Sequence, residues 1–133
     1  MLKPSQTTIE IRYAETDQMG IVHHSNYAIY FEQARVEWLR NAGMHYHELE
    51  KEGVMLPLVN LNVNFKKPLY FGDTIYVKCY LESLPNVKMK FLYDIKINDE
   101  IVSSSGSTTH VFMNAESRKP MRCPQAILDL ITA

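Results

Sequence analysis

Residues Tyr13 to Arg40 read YAETDQMGIVHHSNYAIYFEQARVEWLR, and the change of pattern within this stretch decides the fold. Its first half is turn chemistry: Asp17 and Gly20 stand just ahead of paired histidines, His23 and His24. Its second half is helical. From Asn26 to Ala42 the apolar residues Tyr27, Phe31, Ala34, Trp38 and Ala42 recur at helical spacing, and Ile29, Tyr30 and Leu39 widen the stripe. Ser25 or Asn26 is placed to cap the start. Gly43 suits the left-handed residue that ends such a helix, and a shorter helical stretch from Tyr46 to Lys51 runs on to Gly53. A helix with one broad apolar stripe needs a sheet to cover.

That sheet is written on either side of the helix. Upstream, Thr7 to Ala14 alternates, with Ile9, Ile11 and Tyr13 on one face of a half-buried strand. Downstream, Leu61, Val63 and Phe65 alternate with Asn60, Asn62 and Asn64 until Pro68 breaks the run and Phe71-Gly72-Asp73 turns the chain. Ile75, Val77, Cys79 and Leu81 mark the next strand. After a turn at Leu84-Pro85-Asn86, Val87, Met89, Phe91, Tyr93, Ile95 and Ile97 keep strict period two, and Asn98-Asp99 turns the chain again. Ile101 to Met113 is the last strand. Its stretch Ser103 to Thr109 is so rich in small hydroxyl residues, with Gly106 among them, that it predicts a bulge or a close backbone approach. Pro124 opens a short terminal helix carrying Ile127, Leu128 and Ile131. A strand, a long helix and an antiparallel meander imply an α+β domain in which the helix lies on the sheet.

At 133 residues the chain has the length of one domain, residues 1–133, and a chain of this size buries about two-thirds of its unfolded surface. Fourteen basic residues against fifteen acidic ones leave a formal charge of −1, and no Lys/Arg run suggests a nucleic-acid surface. Any anionic ligand must therefore be met locally. Cys79 and Cys123 stand far apart and outside CxxC spacing, which points to reduced thiols rather than a disulfide framework or a zinc site. The opening MLKPSQTTIEIRY lacks the apolar core of a signal peptide, and no apolar run reaches the length of a membrane span, so the expected compartment is the cytosol.

The pattern Thr16-Asp17, Gly20, Val22, His24 and Tyr27, followed on the helix by Glu32, Ala34 and Arg35, resembles the signature of the 4-hydroxybenzoyl-CoA thioesterase branch of the hotdog-fold superfamily. That branch includes the acyl-CoA thioesterases associated with the Tol-Pal locus. Lys67-Pro68-Leu69 and Gly72-Asp73-Thr74 look like the family's xRP and GD turns, with Lys67 where arginine is commoner, so the resemblance runs along nearly the whole chain. It implies a hotdog fold, an antiparallel sheet wrapped around one long central helix. It also implies hydrolysis of acyl-CoA to a carboxylic acid and free CoA, with no metal and no cofactor beyond the substrate's own CoA. The implied assembly is a homodimer whose sheets join edge to edge, often paired into a homotetramer, with sites at the subunit interface. Aromatic, short-chain, fatty-acyl and carrier-protein thioesters, and a naphthoyl-CoA of the menaquinone pathway, all fit the pattern.

Within that frame Asp17 aligns with the catalytic carboxylate, either attacking the thioester carbonyl to give a mixed anhydride or deprotonating the attacking water. On its own residues, Thr16-Asp17 reads first as a turn-stabilising pair, and it is the surrounding pattern that reverses this. The family places the backbone amide of His24 near the thioester carbonyl, where a well-placed donor contributes ~3 kcal/mol to oxyanion stabilisation. The imidazole either adds a hydrogen bond or fixes the substrate, or else it caps or packs the helix start. Gly20, Val22, His23, Tyr27 and Asn60 are expected around the substrate, and the small hydroxyl residues of the last strand leave room for its pantetheine arm. Lys67, Arg118 and Lys119, with Lys66 and Arg122, are candidates for the CoA phosphates, the alternative being a solvated basic loop. Glu32 and Arg35, three apart on one helix face, read as an ion pair. His45, His47 and Glu48 do not converge as metal ligands, because positions two apart on a helix diverge. The rival readings are a non-catalytic acyl-CoA-binding hotdog module and a hotdog hydratase or dehydratase.

Overall fold

The computed structural model describes residues 3–98 and 101–133. Strand β1 (Ser5–Glu10) leads through a single 3-10 turn, Tyr13–Glu15, into the acidic turn and then helix α1 (Ser25–Asn41). A short helix α2 (Tyr46–Lys51) and strand β2 (Val54–Met55) follow, then the run of β3 (Leu58–Phe65), β4 (Thr74–Leu81), β5 (Lys88–Ile97) and β6 (Ile101–Val111). Strand β7 (Met113–Asn114) pairs with β2, and α3 (Gln125–Thr132) closes the chain.

The main sheet is antiparallel throughout, in the order β1-β4-β5-β6-β3. Helix α1 lies across one face of the sheet. Phe31 stacks on Tyr93 with ring centroids 4.2 Å apart, and Trp38 meets Phe91 edge-on at 5.3 Å. The alternation expected of β4 and β5 holds through Ile75, Val77, Cys79 and Leu81 and through Met89, Phe91, Tyr93 and Ile95, which are all buried, whereas Ile97 is half-buried and Val87 precedes β5 and is exposed. The hydroxyl-rich strand has both expected features. Its register with β5 shifts between Ile95 and Lys96, opposite Ser103, and Gly106 lies so close to Phe31 that an added Cβ would sit 2.6 Å from the ring.

The structure corrects the sequence reading at several edges. Tyr13 does not continue the first strand: β1 ends at Glu10, Ile11 stays buried, and Tyr13 is 72% exposed in the 3-10 turn. Ile29 lies outside the helix stripe, 57% exposed. Neither Ser25 nor Asn26 caps α1 with its side chain. Helical geometry already begins at His24, Ser25 N–H donates to Nδ1 of His23, and the Asn26 amide turns back to the Glu15 carbonyl. Pro124 is the residue before the helix, not its first position. The last strand stops at Val111, because Phe112 turns into the core and Met113 pairs with a different strand. Asn98 adopts the left-handed conformation of the expected turn; its companion Asp99 lies outside the described residues.

Candidate active site

The acidic turn is a tight hairpin. Asp17 N–H donates to the Ile21 carbonyl at 2.8 Å, Gly20 N–H donates to the Asp17 carbonyl at 3.1 Å, and Thr16 bridges Val22. Gly20 takes φ +76°, a region that a side chain resists, and this conformation reverses the chain. The Asp17 carboxylate takes part through one oxygen: Oδ1 accepts from the N–H groups of Met19 (2.8 Å) and Ile21 (3.2 Å). Among the described residues Oδ2 has no hydrogen-bond partner. The turn-stabilising and functional readings of Asp17 thus use different oxygens of one carboxylate.

The start of α1 shows a complementary gap. The N–H of His23 donates to the Glu15 carbonyl, that of Ser25 to His23 Nδ1, that of Asn26 to the His23 carbonyl and that of Tyr27 to the His24 carbonyl. Among the described residues the N–H of His24 has no acceptor. It stands at the positive end of the helix dipole, which favours negative charge. Because His23 Nδ1 accepts an N–H, its ring proton is on Nε2 when the ring is neutral.

Asp17 and His24 share one open cleft of about 490 Å³, whose lining includes Val22, His23, Tyr27 and Lys67. Tyr27 is both core and wall: it is buried, its hydroxyl is pushed above the ordinary phenol range by that burial, and its ring meets Phe65 edge-on at 4.9 Å. Phe65, Ile21, Lys66 and Pro68 complete the lining. Phe65 had no site signal in the sequence because its alternation reads as ordinary strand; only its place just before the Lys67-Pro68 turn hinted at the cleft.

Other expected residues lie elsewhere. Gly20 shapes the turn without lining the cleft. Asn60 pairs with Thr109 along β3, while Asn62 and Asn64 border a shallow concavity with Ser105 and Ser107 on the sheet face away from α1. Arg118 and Lys119 occupy the turn after β7, outside the cleft lining, with Arg118 at φ +59°. His45 and His47 have rings 5.7 Å apart, and among the described residues no group of three metal-ligating side chains forms.

Two buried polar groups depart from the sequence reading, one by its partner and one by having had no role there. Arg35 is not paired with Glu32; it is 8% exposed and donates from Nε to the Tyr46 hydroxyl and from Nη1 to the Tyr93 hydroxyl. Glu15, unassigned in the sequence reading, is also 8% exposed. Burial pushes its carboxyl upward, but hydrogen bonds from the Arg12 amide, the Tyr30 hydroxyl and the Arg12 guanidinium outweigh this and hold it below the ordinary value.

Fold and cleft together define the class: an antiparallel sheet curled over one long helix, with an acidic turn delivered to the helix N-terminus, is the hotdog thioesterase arrangement. The chain belongs to the thioesterase-like superfamily, whose sequence profile matches residues 11–131. It is 38% identical over 129 residues to the Bacillus subtilis protein provisionally named acyl-CoA thioesterase YneP, covering 97% of this chain and 94% of that one. Among solved structures it resembles the hypothetical protein TT1821 from Thermus thermophilus, with TM-score 0.89, 38% identity and coverage of 96% of this chain and 97% of that one. The DHNA-CoA thioesterase from Staphylococcus aureus superposes with TM-score 0.89 at 34% identity, over 97% of this chain and 87% of that one.

Proposed function

We propose that this protein hydrolyses acyl-CoA thioesters, with Asp17 as the reacting carboxylate and the His24 amide as an oxyanion donor. The observation that carries this reading is the pairing, in one cleft, of an unengaged carboxylate oxygen with an unengaged helix N-terminal N–H. A thioester carbonyl placed between them would be attacked at carbon, by Asp17 Oδ2 or by a water that Asp17 deprotonates. The developing oxyanion would be met by the His24 N–H. Collapse breaks the C–S bond, CoA leaves as its thiol after taking up a proton, and the acyl group ends as a carboxylate. If Asp17 attacks, water then opens the mixed anhydride to the same products. The chemistry asks for no metal and no cofactor beyond the CoA of the substrate.

The assembly belongs to the same proposal. Strand β3 is one edge of the sheet, β1 being the other, and it exposes Leu58, Val59, Leu61 and Phe65 along its length. An edge of this kind invites pairing with another strand. Its Phe65 end borders the cleft, while a second cavity of about 460 Å³, lined by Tyr46, Leu49, Met55, Leu56 and Pro57 among others, lies beside its Leu58 end. Antiparallel pairing of two β3 strands about a two-fold axis sets the second cavity of one copy beside the cleft of the other, giving an acyl chain a largely apolar enclosure. We favour a homodimer built this way, or a tetramer of such dimers, with Lys66 and Lys67 at the cleft mouth available to CoA phosphate. The two free, buried thiols, Cys79 and Cys123, fit a reducing compartment, and a cytosolic setting goes with them. The Bacillus subtilis relative is provisionally named for acyl-CoA and the Staphylococcus aureus one is named for DHNA-CoA. An aromatic acyl-CoA therefore belongs in any substrate panel, and kinship with the 4-hydroxybenzoyl-CoA branch is part of this reading.

The test is free-thiol release from short, long and aromatic acyl-CoAs by the wild type and by Asp17→Asn. Turnover that falls at least ~100-fold in the variant, a loss of about 3 kcal/mol of transition-state stabilisation, is the expected result. Binding of CoA esters without thiol release by either protein would instead favour a non-catalytic acyl-CoA-binding module.

A further inference from the structure

We propose that Glu15 is a positioning residue of the hydrolytic site, a two-ended latch that sets the acidic turn and the helix N-terminus in register. The proposal rests on the reading of Asp17 and His24 as the reacting pair.

Both ends of Glu15 are engaged. At the side chain, Oε1 accepts from the Arg12 N–H (2.9 Å) and the Tyr30 hydroxyl (3.0 Å), and Oε2 accepts from Nε and Nη2 of Arg12 (3.2 and 3.1 Å). These bonds join the exit of β1 to the second turn of α1. At the backbone, the Glu15 carbonyl accepts from the His23 N–H and from Nδ2 of Asn26, both at 2.9 Å. These bonds place the residue before His24 and the first turn of the helix. Glu15 also lies two residues ahead of Asp17, at the root of the hairpin that Thr16 closes against Val22.

The latch faces away from the chemistry. Arg12, Glu15 and Tyr30 line a separate concavity with Thr8, Ile9 and Gln33, and none of the three lines the cleft that holds Asp17 and His24. Glu15 therefore acts from outside the cleft, through the positions of Asp17 and the His24 amide. Misplacement of such groups by about 1 Å can cost on the order of 100-fold in rate.

The neutral isostere Glu15→Gln keeps the side-chain shape but exchanges one acceptor oxygen for an amide, which cannot accept from both faces of the latch. Assayed beside the wild type, Tyr30→Phe and Asp17→Asn, with rates expressed per folded enzyme by circular dichroism, it should lose roughly 10- to 100-fold in kcat with KM within about twofold. Tyr30→Phe, which removes one donor and keeps the ring in the core, should lose a smaller share of kcat in the same way. It also carries the test should Glu15→Gln fail to fold. A merely structural role predicts lower stability with unchanged kcat per folded molecule. That result, or a rise in KM at constant kcat, would overturn the latch while leaving the silent Asp17→Asn to uphold the site. Wild-type turnover by Asp17→Asn would sink the site assignment and the latch with it.

Discussion

Asp17 and Gly106 show how single residues are chosen by different constraints. At Asp17 one carboxylate oxygen satisfies the amides of Met19 and Ile21 while the other has no partner among the described residues, so turn-making leaves half of the carboxylate free for the role proposed for it. Gly20, whose positive φ serves the turn, and Asp17 were legible in the sequence because turn chemistry has strong local signals. Phe65 and Glu15 were not, because a strand aromatic and a lone acidic residue acquire meaning only from what the fold brings against them. Gly106 is the steric counterpart. A Cβ there would meet the Asn62 carbonyl oxygen on the neighbouring strand and stand 2.6–2.7 Å from two ring carbons of Phe31, a contact that backbone and a fully buried ring cannot relieve. Gly106→Ala should therefore lower unfolding free energy by about 1–3 kcal/mol, the range for overpacked cores, with a lower urea midpoint and an unchanged m-value. A midpoint equal to that of the wild type would show that the helix can move off the sheet here at no cost.

Among the elements, β4 and β5 were read correctly because one face of each is fully buried, and period two then survives intact in the sequence. Strand β3 has the same alternation, but most of its residues are exposed, on both faces. Its pattern describes an edge whose apolar members Leu61 and Phe65 are still uncovered within one chain. The helix start misled for another reason: its capping acceptor is a histidine nitrogen, His23 Nδ1, rather than a serine or asparagine oxygen. The exposed edge leads to a prediction. If two β3 strands pair, a charge at their centre is desolvated or set near its symmetry mate, whereas in a single chain Leu61 is 43% exposed and tolerates it. Leu61→Asp should shift the mass measured by light scattering toward that of one chain and lower turnover in proportion. An unchanged mass would move the interface to another surface.

At the scale of the whole molecule, one buried hydrogen-bond chain ties together elements that are distant in sequence. The Leu56 carbonyl can only accept, so His110 Nδ1, 3.2 Å away, carries the proton. Nε2 then accepts from the Thr108 hydroxyl at 3.0 Å, and Thr108 in turn accepts from the Tyr93 hydroxyl at 2.6 Å. Tyr93 accepts from Nη1 of Arg35, whose Nε holds the Tyr46 hydroxyl. Every donor has one direction from α1 through β5 and β6 to the segment entering β3, and a second proton on His110 would reverse the Thr108 link. Burial first, and then the Arg35 cation, push the His110 imidazole down to about 4, against a weaker upward pull from the Leu56 carbonyl. The folded protein therefore keeps His110 neutral where the unfolded chain, titrating near 6.5, already binds a proton. The unfolded state holds more protons between these values, so stability from this group is complete above about pH 6.5 and declines as pH falls toward about 4. The full loss is on the order of 3 kcal/mol. Denaturant unfolding from pH 7 down to pH 4.5 should show this slope in the wild type and a shallower one in His110→Gln, with the carboxylate contributions common to both. Parallel curves for the two proteins would mean that His110 is protonated in the fold and that its link to Thr108 is reversed.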